Sequence, residues 1–325
     1  MATLSYKCRS CGGEMSVDSS GELICEYCGS KYSLKDEELK DYKIFRQQLL
    51  EYLRRRNDER MSGGSEEDNR YSRLWDMAQT ETFTSADGEE ITLSYLYSSC
   101  ERTGPAYPND REIRMFLTRN NVIYVFDARD SYLADTAVKT VSKIRYPAAD
   151  VRGLKECFPV FAGRYELNGS AFNKDVMLVY ERPANLFPLS MFGAFTPEHA
   201  AWIVSRMENV CCVLQYSGLT HGGITADNFF INPFSHHGAL IGGWWDAGKG
   251  DGYERDSYWD NKDLKDVRKT ADHILGIHRN EIPDEFDRFI RSRPEKNAYD
   301  DFARWDEVIE KGFGGRRFAG YAGDK

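Results

Sequence analysis

Four cysteines near the start of the chain have the spacing of a metal site. Cys8 and Cys11 form one Cys-x-x-Cys pair, and Cys25 and Cys28 form a second pair after 13 intervening residues. Each pair directs two thiolates at one point, and four thiolates satisfy the tetrahedral preference of Zn²⁺ without leaving a position open for substrate. The spacing therefore predicts one structural Zn²⁺ per chain, held by these four cysteines.

A second group of residues that could perform chemistry lies far from the cysteines. His221 and Asn228 belong to the stretch GLTHGGITADNFFIN, and the carboxylates of Asp227 and Asp246 are close to them in the chain. Which chemistry these side chains perform depends on the elements that position them.

The residues between the two cysteine pairs predict a small fold around the metal. Residues 14–24 read as two short strands on either side of an Asp-Ser-Ser-Gly turn. Gly12 and Gly29 follow the second cysteine of each pair, where the backbone must turn tightly. A segment of this size cannot bury an adequate core, so the metal supplies its folding free energy. We predict a zinc ribbon over residues 1–35, and whether it contacts nucleic acid or protein stays open.

Residues 36–69 connect this ribbon to the rest of the chain. Apolar residues recur at helical spacing and predict one helix over 34–60. The basic run Arg54–Arg56 lies near its C-terminal end, where the helix dipole favours cations. The stretch 61–69, MSGGSEEDN, has the composition of a flexible linker and marks the clearest domain boundary.

The remainder of the chain divides into two regions by periodicity. Residues 70–182 read mainly as strands, with a hairpin at Asn120–Asn121. Residues 183–325 read mainly as helices, and the first long helix starts at Thr196–Pro197 and ends at Gly218. We therefore predict an α+β protein, in which a small β ribbon and a helical linker precede a β-rich region and a helical region.

Composition excludes several classes of protein. The chain has no apolar run of 18 residues and no apolar signal-peptide core. The four other cysteines lack the spacing of a disulfide framework. We therefore expect a cytoplasmic protein without a membrane partner. The formal net charge of −9 repels phosphate backbones, so nucleic-acid binding would require a local basic patch.

The order of elements around His221 resembles the helical C-lobe of the protein kinase superfamily. In that family a helix leads into a loop with the pattern His-x-Asp-x-x-x-x-Asn, whose Asp orients the attacking hydroxyl and whose Asn holds Mg²⁺. His221 and Asn228 match this pattern with the family spacing. The resemblance covers residues 110–325 and implies two lobes, a β-rich N-lobe over 70–182 and a helical C-lobe over 183–325.

The residues that would carry kinase chemistry depart from the family pattern. The hydroxyl-orienting position is Gly223, and the second metal-binding position is Gly242 or Gly243. None of the three has a side chain that could hold a proton or a cation. Asp246 follows by three or four residues and would need a shift in register, and Asp227 lies where the family usually has a structural acidic or polar residue.

The predicted N-lobe departs from the family in the same way. The resemblance makes Glu181–Pro183 the hinge between lobes, but no Gly-x-Gly-x-x-Gly loop precedes the first hairpin. The strand that should end in the nucleotide-binding Lys has Asp127 near that place. The candidate helix offers no Glu to pair with such a Lys.

One acidic residue downstream resembles part of the family scaffold. Asp266 lies near the start of a predicted helix, where the family has an Asp that accepts hydrogen bonds from the catalytic-loop backbone. The resemblance therefore implies that Asp266 is structural and accepts N–H groups of the loop from His221 to Asn228.

Retained scaffold residues and missing chemical residues together imply a pseudokinase. Such a protein would not be an enzyme but a protein-binding adaptor or regulatory scaffold. We expect it to have no functional ATP and Mg²⁺ site. Two alternatives stay open. One is an atypical active kinase in which Asn228 and either Asp227 or Asp246 hold Mg²⁺. The other is a nucleic-acid-binding regulatory protein that uses the ribbon, Arg54–Arg56 and the C-terminal tail GFGGRRFAGYAGDK.

Overall fold

The computed structural model describes the greater part of the chain from residue 75 onward and four short strands before it. The described residues are 6–7, 14–17, 22–25, 31–33, 75, 78–102, 112–147, 152–168, 174–183, 185–232, 237–249 and 261–315. The predicted helix over 34–60, the linker over 61–69 and three of the four predicted zinc ligands (Cys8, Cys11 and Cys28) lie outside these residues.

The first four strands form a small antiparallel sheet. They are β1 (Tyr6–Lys7), β2 (Glu14–Val17), β3 (Glu22–Cys25) and β4 (Lys31–Ser33), and they pair in chain order. Met15 of β2 lies opposite Cys25 of β3. The two strands predicted on either side of the Asp-Ser-Ser-Gly turn are therefore confirmed.

A six-stranded antiparallel sheet follows, in the order β5-β6-β7-β8-β10-β9. Its β7–β8 hairpin, in which Leu117 pairs with Val122, confirms the turn predicted at Asn120–Asn121. The strands are β5 (Gln79–Thr84), β6 (Glu90–Arg102), β7 (Glu112–Thr118), β8 (Asn121–Phe126), β9 (Phe161–Glu166) and β10 (Val176–Glu181).

The sheet has an apolar core on each face, because successive side chains of a strand point to opposite sides. Along β8, Val122, Tyr124 and Phe126 join the larger core, while Ile123 and Val125 join the smaller one. This alternation makes β8 a continuous apolar run in the sequence, as expected for a strand that is buried on both faces.

The two outer strands of the sheet meet at one end. Ser85, after β5, forms a bridge with Leu167, after β9. The N–H of Ala86 donates to the carbonyl of Glu166 at 2.9 Å. The sheet is therefore curled, and the smaller core lies inside the curl.

Two helices accompany the sheet, α1 (Ser131–Val141) and the short α2 (Arg152–Lys155). On α1, the side chains of Leu133, Ala134 and Ala137 are buried in the larger core. These residues recur at helical spacing, so α1 covers the sheet face that Tyr124 and Phe126 share.

The rest of the described chain is mainly helical. Helix α3 (Pro197–Ser217) follows the extended Thr196 and is capped by Gly218, which has the left-handed φ of +67°, so the predicted start and the predicted C-cap are confirmed. The other helices are α4 (Lys262–Leu275), α5 (Asp284–Arg291) and α6 (Ala298–Phe313). Short strands connect them: β11 (Phe187–Pro188), β12 (Leu219–Thr220), β13 (Phe229–Asn232), β14 (His237–Leu240) and β15 (Gly248–Lys249).

The observed class is α+β, with a curled sheet followed by a helical region, as predicted. The larger core is continuous between the two, because it contains residues of β8 and β10 together with residues of α3, α4 and α6. The limits of the four predicted regions remain predictions. In the described part of the chain, every helix is too short or too polar to span a lipid bilayer.

Candidate functional site

The loop from His221 to Asn228 begins directly after β12 and is held from within by the imidazole of His221. This side chain is fully buried. Its Nδ1 accepts the N–H of Gly223 at 3.2 Å, so Nε2 carries the proton and donates to the carbonyl of Gly242 at 2.9 Å. Both ring nitrogens are satisfied only in the neutral form. Burial lowers the pKa of His221 to about 4.

A carboxylate from α4 accepts hydrogen bonds from the backbone of the same loop. Oδ2 of Asp263 accepts the N–H of His221 at 2.9 Å, and its Oδ1 accepts the N–H of Gly222 at 2.6 Å. The carboxyl group is fully buried, and burial raises its pKa to about 6 against the lowering effect of the two hydrogen bonds. Without this acceptor the buried N–H of His221 and the partly buried N–H of Gly222 would lose their partner.

The prediction that Asp266 accepts these N–H groups is therefore wrong. Asp263 and Asp266 are three residues apart, so they share a face of α4, but Asp263 lies in the first turn beside the loop. Asp266 is buried and forms an ion pair with Lys262 at 2.6 Å. Nζ of Lys262 also donates to the carbonyl of Gly222, so Asp266 reaches the loop only through that lysine.

Asn228 fixes the other end of the loop. Its Nδ2 donates to the carbonyl of Gly223 at 3.0 Å. Its backbone carbonyl accepts the N–H groups of Ile241 at 2.9 Å and Gly242 at 3.2 Å. The side chain predicted as a possible cation ligand thus closes the loop on itself and attaches it to the chain after β14.

The two candidate metal positions have no room for a side chain. A Cβ on Gly242 would lie 2.3 Å from Oδ1 of Asn228 and 2.6 Å from the hydroxyl of Tyr124. Gly243 has a φ of +80°, and a Cβ there would lie 2.7 Å from both Nδ2 of Asn228 and Cε1 of His221. Contacts below 3.0 Å require atoms to move, so an Asp at either place would displace the loop.

Gly223, which the resemblance placed at the hydroxyl-orienting position, differs from these two glycines. A Cβ there would lie 3.6 Å from Nδ2 of Asn228 and 3.8 Å from Nδ1 of His221, which are ordinary contacts. This position therefore lacks a side chain but could accept one.

The strand residue nearest these glycines is Tyr124 and not Asp127. Asp127 lies beyond the end of β8 and forms a half-exposed ion pair with Arg129 at 3.2 Å. The ring of Tyr124 packs edge-on against Trp245 at 4.9 Å between centroids, and Phe126 packs against the same indole at 5.4 Å. Aromatic side chains thus occupy the space between β8 and the residues after β14.

Sequence reasoning missed Asp263, Lys262 and Tyr124. The alternation of β8 was the available signal for Tyr124, because Val122, Tyr124 and Phe126 must share one face. No comparable signal distinguished Asp263 from Asp266, since both are acidic and lie on one face of the same helix.

The other predicted acidic residues are exposed. Asp227 and Asp246 both lie at the surface. The negative charge of Asp246 raises the pKa of His221 and so opposes the larger lowering effect of burial. Among the residues that the structure describes, no cluster of three His, Cys, Asp or Glu side chains could hold a metal ion. The predicted zinc ligands are not among those side chains.

No family model matches the chain, and no curated protein matches it. Many solved structures are similar to it, among them the following two. The ROP18 kinase domain in complex with AMP-PNP and sucrose is 14% identical, with a TM-score of 0.37, over 71% of this chain and 84% of that one. A crystal structure of WbdD is 12% identical, with a TM-score of 0.41, over 67% of this chain and 46% of that one.

Proposed function

We propose that the chain is a pseudokinase that carries a zinc ribbon and acts as a protein-binding adaptor or regulatory scaffold. In this proposal the curled sheet is the N-lobe, the helical region is the C-lobe, and no phosphoryl group is transferred. The hydrogen bonds of His221, Asn228 and the Asp263 carboxylate support this proposal, because they hold the loop in the way that the scaffold of a kinase catalytic loop would require.

The observation that carries the proposal is the filled space at Gly242 and Gly243. Phosphoryl transfer depends on positioned cations and an oriented hydroxyl group, because the protein contributes mainly geometry and electrostatics. Here the amide of Asn228 and the hydroxyl of Tyr124 occupy the volume that a metal-binding carboxylate would need. The amide nitrogen of Asn228 is already bound to the carbonyl of Gly223.

A phosphorylation assay tests the proposal. The full chain is incubated with labelled ATP, Mg²⁺ or Mn²⁺ and generic protein substrates, beside an Asn228→Ala control. We expect no labelling of the chain or of any substrate. Labelling that disappears in the control would overturn the proposal and support the alternative of an atypical kinase, in which Asn228 and either Asp227 or Asp246 hold the cation.

The nucleic-acid alternative is tested separately with RNA and DNA probes in a gel-shift assay at two salt concentrations. Contacts with phosphates release counterions, so such binding must weaken steeply as salt rises. We expect no shift at either concentration. A shift at low salt that is lost at high salt would favour the alternative in which the ribbon and Arg54–Arg56 bind nucleic acid.

We also propose that Cys8, Cys11, Cys25 and Cys28 hold one Zn²⁺. Four thiolates suit Zn²⁺, and the metal would fix a segment that is too small to bury its own core. The antiparallel pairing of β2 and β3, which ends at Cys25, is compatible with this arrangement. Elemental analysis of the purified chain should give about one zinc per chain, and zinc-free protein with a protease-resistant ribbon would refute the site.

A further inference from the structure

The connection from the sheet to the helical region contains a buried arginine. Arg182 directly follows β10, and its backbone N–H donates to the carbonyl of Asn120 at 2.8 Å. Nη1 donates to the carbonyls of Thr118 at 3.3 Å and Arg119 at 2.8 Å, both in the β7–β8 turn. Nε donates to the carbonyl of Leu186 at 2.7 Å, on the segment that leads to the helical region.

The guanidinium of Arg182 has no carboxylate partner among the described residues. The side chain is 6% exposed, and its face lies over the ring of Phe187 at 4.6 Å. Burial lowers its pKa to about 10. A buried charge without a counter-ion is unfavourable unless hydrogen bonds compensate it. Here three carbonyls on two different segments accept from Nε and Nη1, whereas Nη2 is buried without a hydrogen-bond partner in the described part of the chain, so the loss of either segment would leave the charge still less compensated.

A second set of hydrogen bonds joins the two regions on the side of α1. The backbone N–H of Arg145 donates to Oγ of Ser217 at 2.9 Å, and that hydroxyl lies 3.2 Å from the carbonyl of Arg145. Ser217 is the last residue of α3, whereas Arg145 follows α1. Thr140 of α1 also donates to the carbonyl of Ala247 at 3.4 Å.

We infer that Arg182 and Ser217 clamp the sheet and the helical region together in one relative orientation. The two clamps involve different segments of the chain, and Trp245 of the helical region also packs against Tyr124 and Phe126 of the sheet. Opening would break both sets of hydrogen bonds and separate the aromatic rings. Enzymes that close over a substrate must open again to release product. In this chain the two clamps oppose opening between the sheet and the helical region, whether or not the chain transfers phosphate. The inference therefore goes beyond the proposed function.

Distance measurement between spin labels tests the clamp. A keto-bearing amino acid is introduced at exposed Asp87, in the turn between β5 and β6, and at exposed Glu310 in α6, so that native cysteines stay unlabelled. Double electron–electron resonance then gives the distribution of label distances in the full chain. We expect one narrow distribution in the parent and a broader one, extending to longer distances, in Arg182→Met. Methionine retains the apolar length but donates no hydrogen bond.

Arg119→Met is the matched control, because its side chain is exposed on the turn that Arg182 binds through the backbone carbonyl. It should keep the parent distribution. Two separate populations in the parent, or a folded Arg182→Met with the parent distribution, would overturn the inference. If Arg182→Met does not fold, Ser217→Ala takes its place, with exposed Ser142→Ala as control. Broadening then supports the clamp, and an unchanged distribution refutes it.

Discussion

Acid should unfold this protein in part because His221 is buried in its neutral form. Its Nδ1 accepts the N–H of Gly223, so a proton at Nδ1 would remove that acceptor and place a charge in the core. The pKa of His221 is about 4 in the folded state, against an ordinary value of 6.5. A group with a lowered folded pKa stabilises the fold above its unfolded pKa, and this contribution is lost as the pH falls towards its folded pKa.

The size of the effect follows from the two pKa values. One pKa unit corresponds to about 1.4 kcal/mol, and integration over the titration gives a loss of about 2 kcal/mol at pH 5 and about 3 kcal/mol at pH 4. Because His221 is fully buried, solvent screening does not reduce this figure as it would at the surface.

Comparison with a variant that cannot titrate isolates this residue from the other acidic groups. Urea unfolding of the parent and of His221→Asn is measured between pH 7 and pH 4, and the difference in their free energies of unfolding is followed. The free energy of unfolding of the parent, relative to that of His221→Asn, should fall by about 3 kcal/mol from pH 7 to pH 4. A difference that stays constant within a few tenths of a kcal/mol would refute the buried neutral imidazole.

Three further predictions test the site and the ribbon. Asp263→Ala should lower the free energy of unfolding by more than Asp266→Ala, because it leaves the buried N–H of His221 unpaired at about 1–3 kcal/mol and also removes the partner of the partly buried N–H of Gly222; equal losses in urea unfolding would contradict this. Gly242→Ala should destabilise by about 1–3 kcal/mol through overpacking, whereas Gly223→Ala should be nearly neutral, as thermal unfolding can show. Cys25→Ser should lower the zinc content without changing the unfolding of the sheet and helical regions, and a simultaneous loss of those regions would argue against a separate ribbon.

Local signals allowed much of the fold to be predicted from the sequence. Helix α3 has Pro197 at its first position and Gly218 at its end, and both residues act through their own backbone geometry. The β7–β8 hairpin is equally local, because its turn lies between two apolar runs. Local sequence determines these elements without contacts from distant segments, so their types and limits could be predicted from the sequence.

The site was harder to predict because its contacts join distant segments. Asp263 and His221 are 42 residues apart, and which acid of α4 meets the loop depends on how the helix is placed. Sequence alone gave Asp266, one turn too late. Likewise, Asp127 was adjacent in sequence to the expected lysine position, but the pleat of β8 turns Tyr124 towards Gly242.

Gly242 and Gly243 therefore do not simply leave space for a missing side chain, because neighbouring atoms already fill that space. Their missing side chains allow Asn228 and His221 to approach the backbone, and the hydrogen bond from Nε2 of His221 to Gly242 depends on that approach. A carboxylate added at either position would have to displace these contacts before it could bind a cation. In the proposed pseudokinase, the absence of a metal ligand and the tight packing at these glycines would therefore have one structural cause, and an Asp introduced at either position could not supply the ligand without removing the packing.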